Sequence, residues 1–173
     1  MTLSKMETAP KRIGLLLVGG HHHILHLIPI SAELEKKDGC SVTVFVTSEV
    51  EAEACRAILD KLGAHKTTVV TLKVGKLGNR LSPKLAFLLG NLKIWKSLDC
   101  LIVAERTSTI LRYLPIKLPV FIHIPHGAGD RAKSYDPRIR HFDHVLLAGD
   151  KDKRRMMELG LITETTGHVT GYI

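Results

Sequence analysis

Short apolar runs rich in β-branched residues recur along this chain, with helical stretches or loops between them. They are Ile13–Val18, Ser41–Thr47, Thr67–Val74, Cys100–Ala104, Val120–Ile124 and His144–Leu147, with a last extended piece at His168–Tyr172. Strands that are apolar almost throughout need cover on both faces, and an open parallel sheet between two helical layers supplies it. The alternation therefore predicts an α/β domain with a Rossmann-like, mainly parallel sheet and helices on both faces.

The connecting segments carry helix signals. Ile28–Lys37 reads as a helix with Pro29 near its first turn and Gly39 closing it. Ser48 caps the next helix, with Glu51 three residues on completing a capping box, and this helix runs to about Leu62-Gly63. Pro83 opens a helix expected to reach Leu98, with Leu85, Leu88, Leu89, Leu92 and Trp95 at helical spacing. Thr107–Tyr113 reads as a short helix, and Lys151–Leu159 as a helix stopped by Gly160. Residues 1–10 are expected to be a disordered tail and 11–173 one domain.

A length of 173 residues suffices to bury a real core. Aromatics are only 5%, so that core is aliphatic. The formal net charge of +8 suits an anionic partner: a nucleotide, a phosphorylated polymer, nucleic acid or a membrane surface. It equally suits a merely soluble basic protein. Cys40, Cys55 and Cys100 match no zinc or redox spacing, and each lies in or beside an apolar element. They read as buried free thiols in a reducing cytosol. The start, MTLSKMETAPKR, has no apolar signal-peptide core, and no apolar run approaches the ~18 residues of a membrane span. The expected location is cytoplasmic, with peripheral contact at the inner membrane face.

Two strand ends hold the chemistry. Gly19, Gly20 and His21 follow the first strand, where glycines admit close backbone approach and the next helix offers free N–H groups to an anion. The G-x-G-x-x-G fingerprint is absent, and a plain tight turn fits the same residues. His21, His22 and His23 are consecutive, so their side chains diverge and no acid or thiol completes a metal set. They are expected to face substrate or solvent, with no metal. The second strand end, His126-Gly127-Ala128-Gly129-Asp130, places an imidazole and a carboxylate on a loop after a buried strand. There His126 could act as general base with Asp130 beside it. Arg131 and Lys133 could clamp a phosphate. A solvated surface turn is the alternative.

Lys66 to Leu98 carries Lys66, Lys73, Lys76, Arg80, Lys84, Lys93 and Lys96 and no acid. Its apolar stripe reads as a crossover helix packed on the sheet, its basic face as a contact for anionic membrane. Lys151, Lys153, Arg154 and Arg155 read as a solvated helix face.

The opening LLLVGGHHHILHLIPISAELEKK resembles the start of GT-B glycosyltransferases, where a Gly-rich turn and a His precede a Pro-bearing helix. Later, His126-Gly127, Phe142–Gly149 and Thr170-Gly171-Tyr172 resemble the CDP-glycerol glycerophosphotransferases of the teichoic-acid type, with Pro125 where that family usually has Trp. The resemblance implies the amino-terminal, acceptor-side domain of a two-domain fold, with the donor-binding domain outside these residues. It implies transfer of a glycosyl or glycerophosphate unit from a nucleotide-activated donor to a cell-envelope polymer or lipid-linked acceptor. His126 would be the base, Asp130 its neighbour, Gly19, Gly20, His21 and Gly127 the cleft lining, and Arg131 and Lys133 the phosphate contacts. No cofactor and no specific nucleic acid are implied, and this half alone should not turn over. A non-hydrolysing sugar-nucleotide 2-epimerase shares the implied fold. A non-catalytic basic Rossmann-like module is the rival of another class.

Overall fold

The computed structural model describes residues 9–18, 22–74, 82–125 and 135–171. In chain order it contains β1 (Lys11–Leu16), α1 (His22–Leu34), β2 (Cys40–Val46), α2 (Glu49–Lys61) and β3 (Thr68–Thr71). There follow α3 (Pro83–Gly90), α4 (Leu92–Ser97), β4 (Cys100–Val103), a 3₁₀ turn (Thr107–Tyr113) and β5 (Val120–His123). A second 3₁₀ turn (Pro137–His141), β6 (His144–Leu147), α5 (Asp150–Glu158) and β7 (Gly167–Val169) complete it.

The seven strands form one sheet in the order β3-β2-β1-β4-β5-β6-β7, and every pairing is parallel. The expected Rossmann-like architecture is present. Strand order reverses direction between β1 and β4, so the switch point of the sheet lies there.

Side-chain alternation along each strand feeds two separate cores. One face sends Leu15, Leu17, Val42, Val44, Val46 and Ile102 against Ile24, Leu27 and Ile28 of α1 and Ala52, Cys55 and Leu59 of α2. The other sends Leu16, Phe45, Leu101, Val103, Phe121 and Val145 against Leu88, Trp95, Leu111, Ile139 and Met156. Both faces of the inner strands are covered, as their near-continuous apolar sequences require.

Caps fall where the residues place them. Ser48 accepts the Glu51 amide at 3.3 Å. The Glu51 carboxylate reaches one residue further back than a capping box requires, accepting from the Thr47 amide at 2.9 Å and its hydroxyl at 2.7 Å. Gly63 (φ 67°) and Gly160 (φ 63°) close α2 and α5 in the left-handed conformation. In each case the next amide bonds back across the last turn, Ala64 to the Leu59 carbonyl and Leu161 to that of Met156, both at 2.9 Å.

Two helices depart from expectation. α1 begins at His22, not Ile28, so Pro29 sits inside it rather than in its first turn. Pro29 lies on the exposed side, where a lost backbone bond is least costly. The helix expected over residues 83–98 divides at Asn91 (φ −120°, ψ 28°) into α3 and α4. The Asn91 side-chain amide donates to the carbonyls of Phe87 (2.7 Å) and Lys73 (2.8 Å), so it competes with the helical ladder at the break. The three thiols are free, but only Cys55 is fully buried; Cys40 and Cys100 are half-buried. Among the described residues no helix is long and apolar enough to cross a membrane.

Candidate functional site

Because all strands run parallel, β1, β4 and β5 deliver their following segments to the same edge of the sheet. β1 continues as extended chain, with the Leu17 amide bonded to the Phe45 carbonyl at 2.9 Å. β5 continues likewise, with the Ile124 amide on the Val103 carbonyl at 2.9 Å. β4 lies between them and pairs with both. Gly19, Gly20 and His21 follow one of these strands, and His126, Gly127, Asp130, Arg131 and Lys133 the other. All eight lie outside the described residues, as do Lys76 and Arg80 of the basic loop.

Between those two exits, β4 runs into Ala104-Glu105-Arg106, of which Glu105 and Arg106 fall between the expected strand and helix. Glu105 is 7% exposed and its carboxylate caps the following 3₁₀ turn, accepting from the Ser108 amide at 3.0 Å and from the Thr107 amide. The Arg106 guanidinium lies 3.5 Å from Asp136 Oδ2. Asp136 also takes a forked pair from Arg138, Nη2 at 2.6 Å and Nε at 3.0 Å, and caps the second 3₁₀ turn. The Arg138 hydrogen bonds, with Arg106 adding to them, hold the Asp136 carboxyl down at about 2. This network ties the segment after β4 to the segment before β6. Ser108 Oγ, fully buried nearby, has no hydrogen-bond partner among the described residues. An acid–base dipeptide directly after a buried strand was the available signal for this edge.

The histidines divide by environment. His23, expected to face substrate or solvent, is instead 2% exposed, packed inward in the first turns of α1. His123, the last residue of β5, is also buried. Its Nδ1 lies 3.2 Å from the Val103 carbonyl, which can only accept, so Nδ1 carries the proton. Its ring stacks on Phe142 at 4.7 Å. His123 is therefore a packing residue of the strand that leads to His126. Among the described residues no three His, Cys, Asp or Glu side chains are grouped to hold a metal ion.

The apolar stripe of α3 and α4 faces the core. Leu88 and Trp95 are fully buried, and Trp95 stands edge-on to Phe45 at 5.4 Å. On α5, Lys151, Arg154 and Arg155 are exposed, as expected of a solvated helix face, and Lys153 is half-buried. Lys151, Arg154, Arg155 and Glu158 line a recess of about 410 Å³ together with Tyr135, while Lys153 pairs elsewhere, with Glu164 at 2.5 Å.

Strand order and layering together decide the comparison with known structures. The fold, a seven-stranded parallel Rossmann-like sheet, is similar to part of several solved GT-B-type proteins. The UDP-GlcNAc 2-epimerase of Neisseria meningitidis, solved bound to UDP-GlcNAc, matches with a TM-score of 0.61 at 14% identity, over 94% of this chain and 46% of that one. The Anabaena protein HepE, solved in complex with UDP and glucose, matches with a TM-score of 0.56 at 13% identity, over 94% and 44%. Phytolacca americana UGT2, complexed with UDP-2fluoro-glucose and pterostilbene, matches with a TM-score of 0.53 at 13% identity, over 95% and 54%. The chain thus spans about half the length of these proteins. No protein-family model and no curated protein sequence matches it.

Proposed function

We propose that this chain is the acceptor-side half of a GT-B-type transferase that uses a nucleotide-activated donor and a cell-envelope acceptor. The observation that supports it most is that β1 and β5, the parallel strands that precede the Gly-Gly-His and His-Gly segments in sequence, end at one edge on either side of the switch-point strand β4. His126 takes the proton of the acceptor hydroxyl as that oxygen attacks the donor carbon or phosphorus, and the nucleotide leaves. Asp130 orients the imidazole; Arg131 and Lys133 meet phosphate. The donor half of such an enzyme is a second α/β domain outside these residues. The likeness to HepE and UGT2, solved with UDP or a UDP-sugar, supports a nucleotide-sugar chemistry at the fold level.

A second reading, a 2-epimerase of UDP-N-acetylhexosamine, is favoured by the likeness to the Neisseria enzyme. The two separate in one assay. The intact gene product is incubated with UDP-N-acetylglucosamine, UDP-glucose or CDP-glycerol, with and without a polyol-phosphate acceptor. Acceptor-dependent nucleotide release supports the transferase; inversion at C2 without acceptor supports the epimerase. His126→Ala is expected to lower transferase turnover by about 10²–10⁴-fold with donor affinity kept. Unchanged turnover would remove His126 from the mechanism.

A further inference from the structure

Lys151, Arg154, Arg155 and Glu158 stand at i, i+3, i+4 and i+7 of α5, so they form one stripe along the helix. Met156, on another side, is buried in the core and fixes which way the stripe faces. Tyr135, half-buried, from the segment that joins β5 to β6, lines the same recess. The stripe and the ring border an open recess of about 410 Å³, at the lower end of the volumes that hold small ligands. α5 follows β6, so its amino end, with Lys151, starts from the carboxyl edge of the sheet.

Among the described residues, three cations and one carboxylate line the recess. Arg155 Nη1 lies 3.1 Å from Glu158 Oε2, so the acid is held at one end while Lys151 and Arg154 define a positive end. Asp150 and Asp152, though in the same first turn, do not line the recess. A positive end suits a phosphate, where guanidinium and ammonium donors give charge-assisted bonds. Carboxylate and phenol suit hydroxyls, the one accepting and the other donating. A concave, mixed-charge surface fits a small polar molecule better than a flat bilayer, which favours uniform positive charge with exposed apolar anchors.

We infer that the Tyr135–α5 recess is a binding subsite for a phosphorylated polyol or sugar, with the phosphate at Lys151 and Arg154 and a hydroxyl at Glu158. In calling that molecule an acceptor, the inference rests on the transferase reading; the binding itself does not.

The test is an amide NMR titration of this chain with glycerol phosphate, the smallest molecule bearing both groups, and separately with inorganic phosphate. Saturable shifts centred on Tyr135 and α5 are expected. Arg154→Glu, or Arg154→Gln if the reversal disturbs folding, weakens glycerol phosphate by about tenfold. Glu158→Gln weakens glycerol phosphate while sparing inorganic phosphate. Lys36→Glu, a charge reversal elsewhere on the surface, leaves both nearly unchanged. The inference is overturned by an absence of saturation, by equal effects of Lys36→Glu and Arg154→Glu, or by binding to phosphatidylglycerol vesicles without any response to free glycerol phosphate. Turnover by the intact gene product without binding here removes the subsite and keeps the transferase; binding without turnover does the reverse.

Discussion

Arg138 grips Asp136 through two nitrogens, Nη2 at 2.6 Å from one carboxylate oxygen and Nε at 3.0 Å from the other. The pair sits in the turn before β6, and Arg106 joins it from the turn after β4. Held at about 2, the Asp136 carboxyl binds a proton less readily folded than unfolded. Its contribution to stability is therefore complete above pH ~4, where the unfolded group has also ionised, and fades as pH falls toward 2. Arg138 is half-exposed, so solvent reduces that contribution to about 1 kcal/mol. Asp136→Asn is expected to lose it at neutral pH, and to show a shallower acid-unfolding slope between pH 4 and 2 when followed by circular dichroism. A parallel slope would mean that the pair is energetically idle.

Trp95 supplies a second test. It is fully buried and donates its indole N–H to the Leu88 carbonyl at 2.7 Å, tying α4 to α3 across the Asn91 break. Trp95→Ala should cost about 3–5 kcal/mol in urea unfolding, from a cavity beside Phe45. Trp95→Phe keeps most of the volume but strands a carbonyl, and should cost about 1–3 kcal/mol. Equal losses for the two would show that the hydrogen bond, not the packing, holds the break.

The break also marks where sequence reading reached its limit. Leu85, Leu88, Leu92 and Trp95 keep one helical period through Gly90-Asn91, so periodicity alone sees one helix. The division depends on the Asn91 side chain finding the Lys73 carbonyl, a contact between residues far apart in sequence. α1 was misplaced for a related reason. Pro29 resembles a first-turn residue locally, and only the exposure of its side of the helix lets it sit in the interior. The strands were legible because both faces are buried, so composition alone marked them. The candidate site was legible only as strand ends. That Glu105 and Arg106 cap and clamp the edge depends on Ser108 and Asp136, which no local pattern connects to them.

The cysteines should separate by reactivity. Burial pushes Cys55 up to about 11, with the Glu51 charge adding to it. Burial does the same to Cys100, also to about 11, aided by Asp143 and Asp99. At pH 8 neither holds much thiolate, the form that reacts. Iodoacetamide on the native chain should label Cys40, which is partly exposed, well before the other two. Mass spectrometry of the digested protein reads the order. Labelling of Cys100 as fast as Cys40 would overturn the order, since both are half-buried and the raised Cys100 thiol is what separates them.

Glu105 is the prediction that bears on mechanism. A buried carboxylate at the exit of a switch-point strand is where a general base would be sought. Here its two oxygens each accept a backbone amide, those of Ser108 and Thr107, in the turn it caps. A group so engaged shapes the edge rather than moving a proton. Glu105→Gln keeps one acceptor oxygen and presents an N–H₂ to the other amide. It should lower stability by about 1–2 kcal/mol, with turnover of the intact gene product kept within about tenfold below its melting range. Glu105→Ala removes both acceptors and should cost more stability than Glu105→Gln. Activity should then fall only as the folded fraction falls, and lowering the assay temperature should restore it. If Glu105→Gln instead abolishes turnover with its melting temperature unchanged, Glu105 acts on the substrate. The proton-transfer role would then move from His126 to the segment after β4.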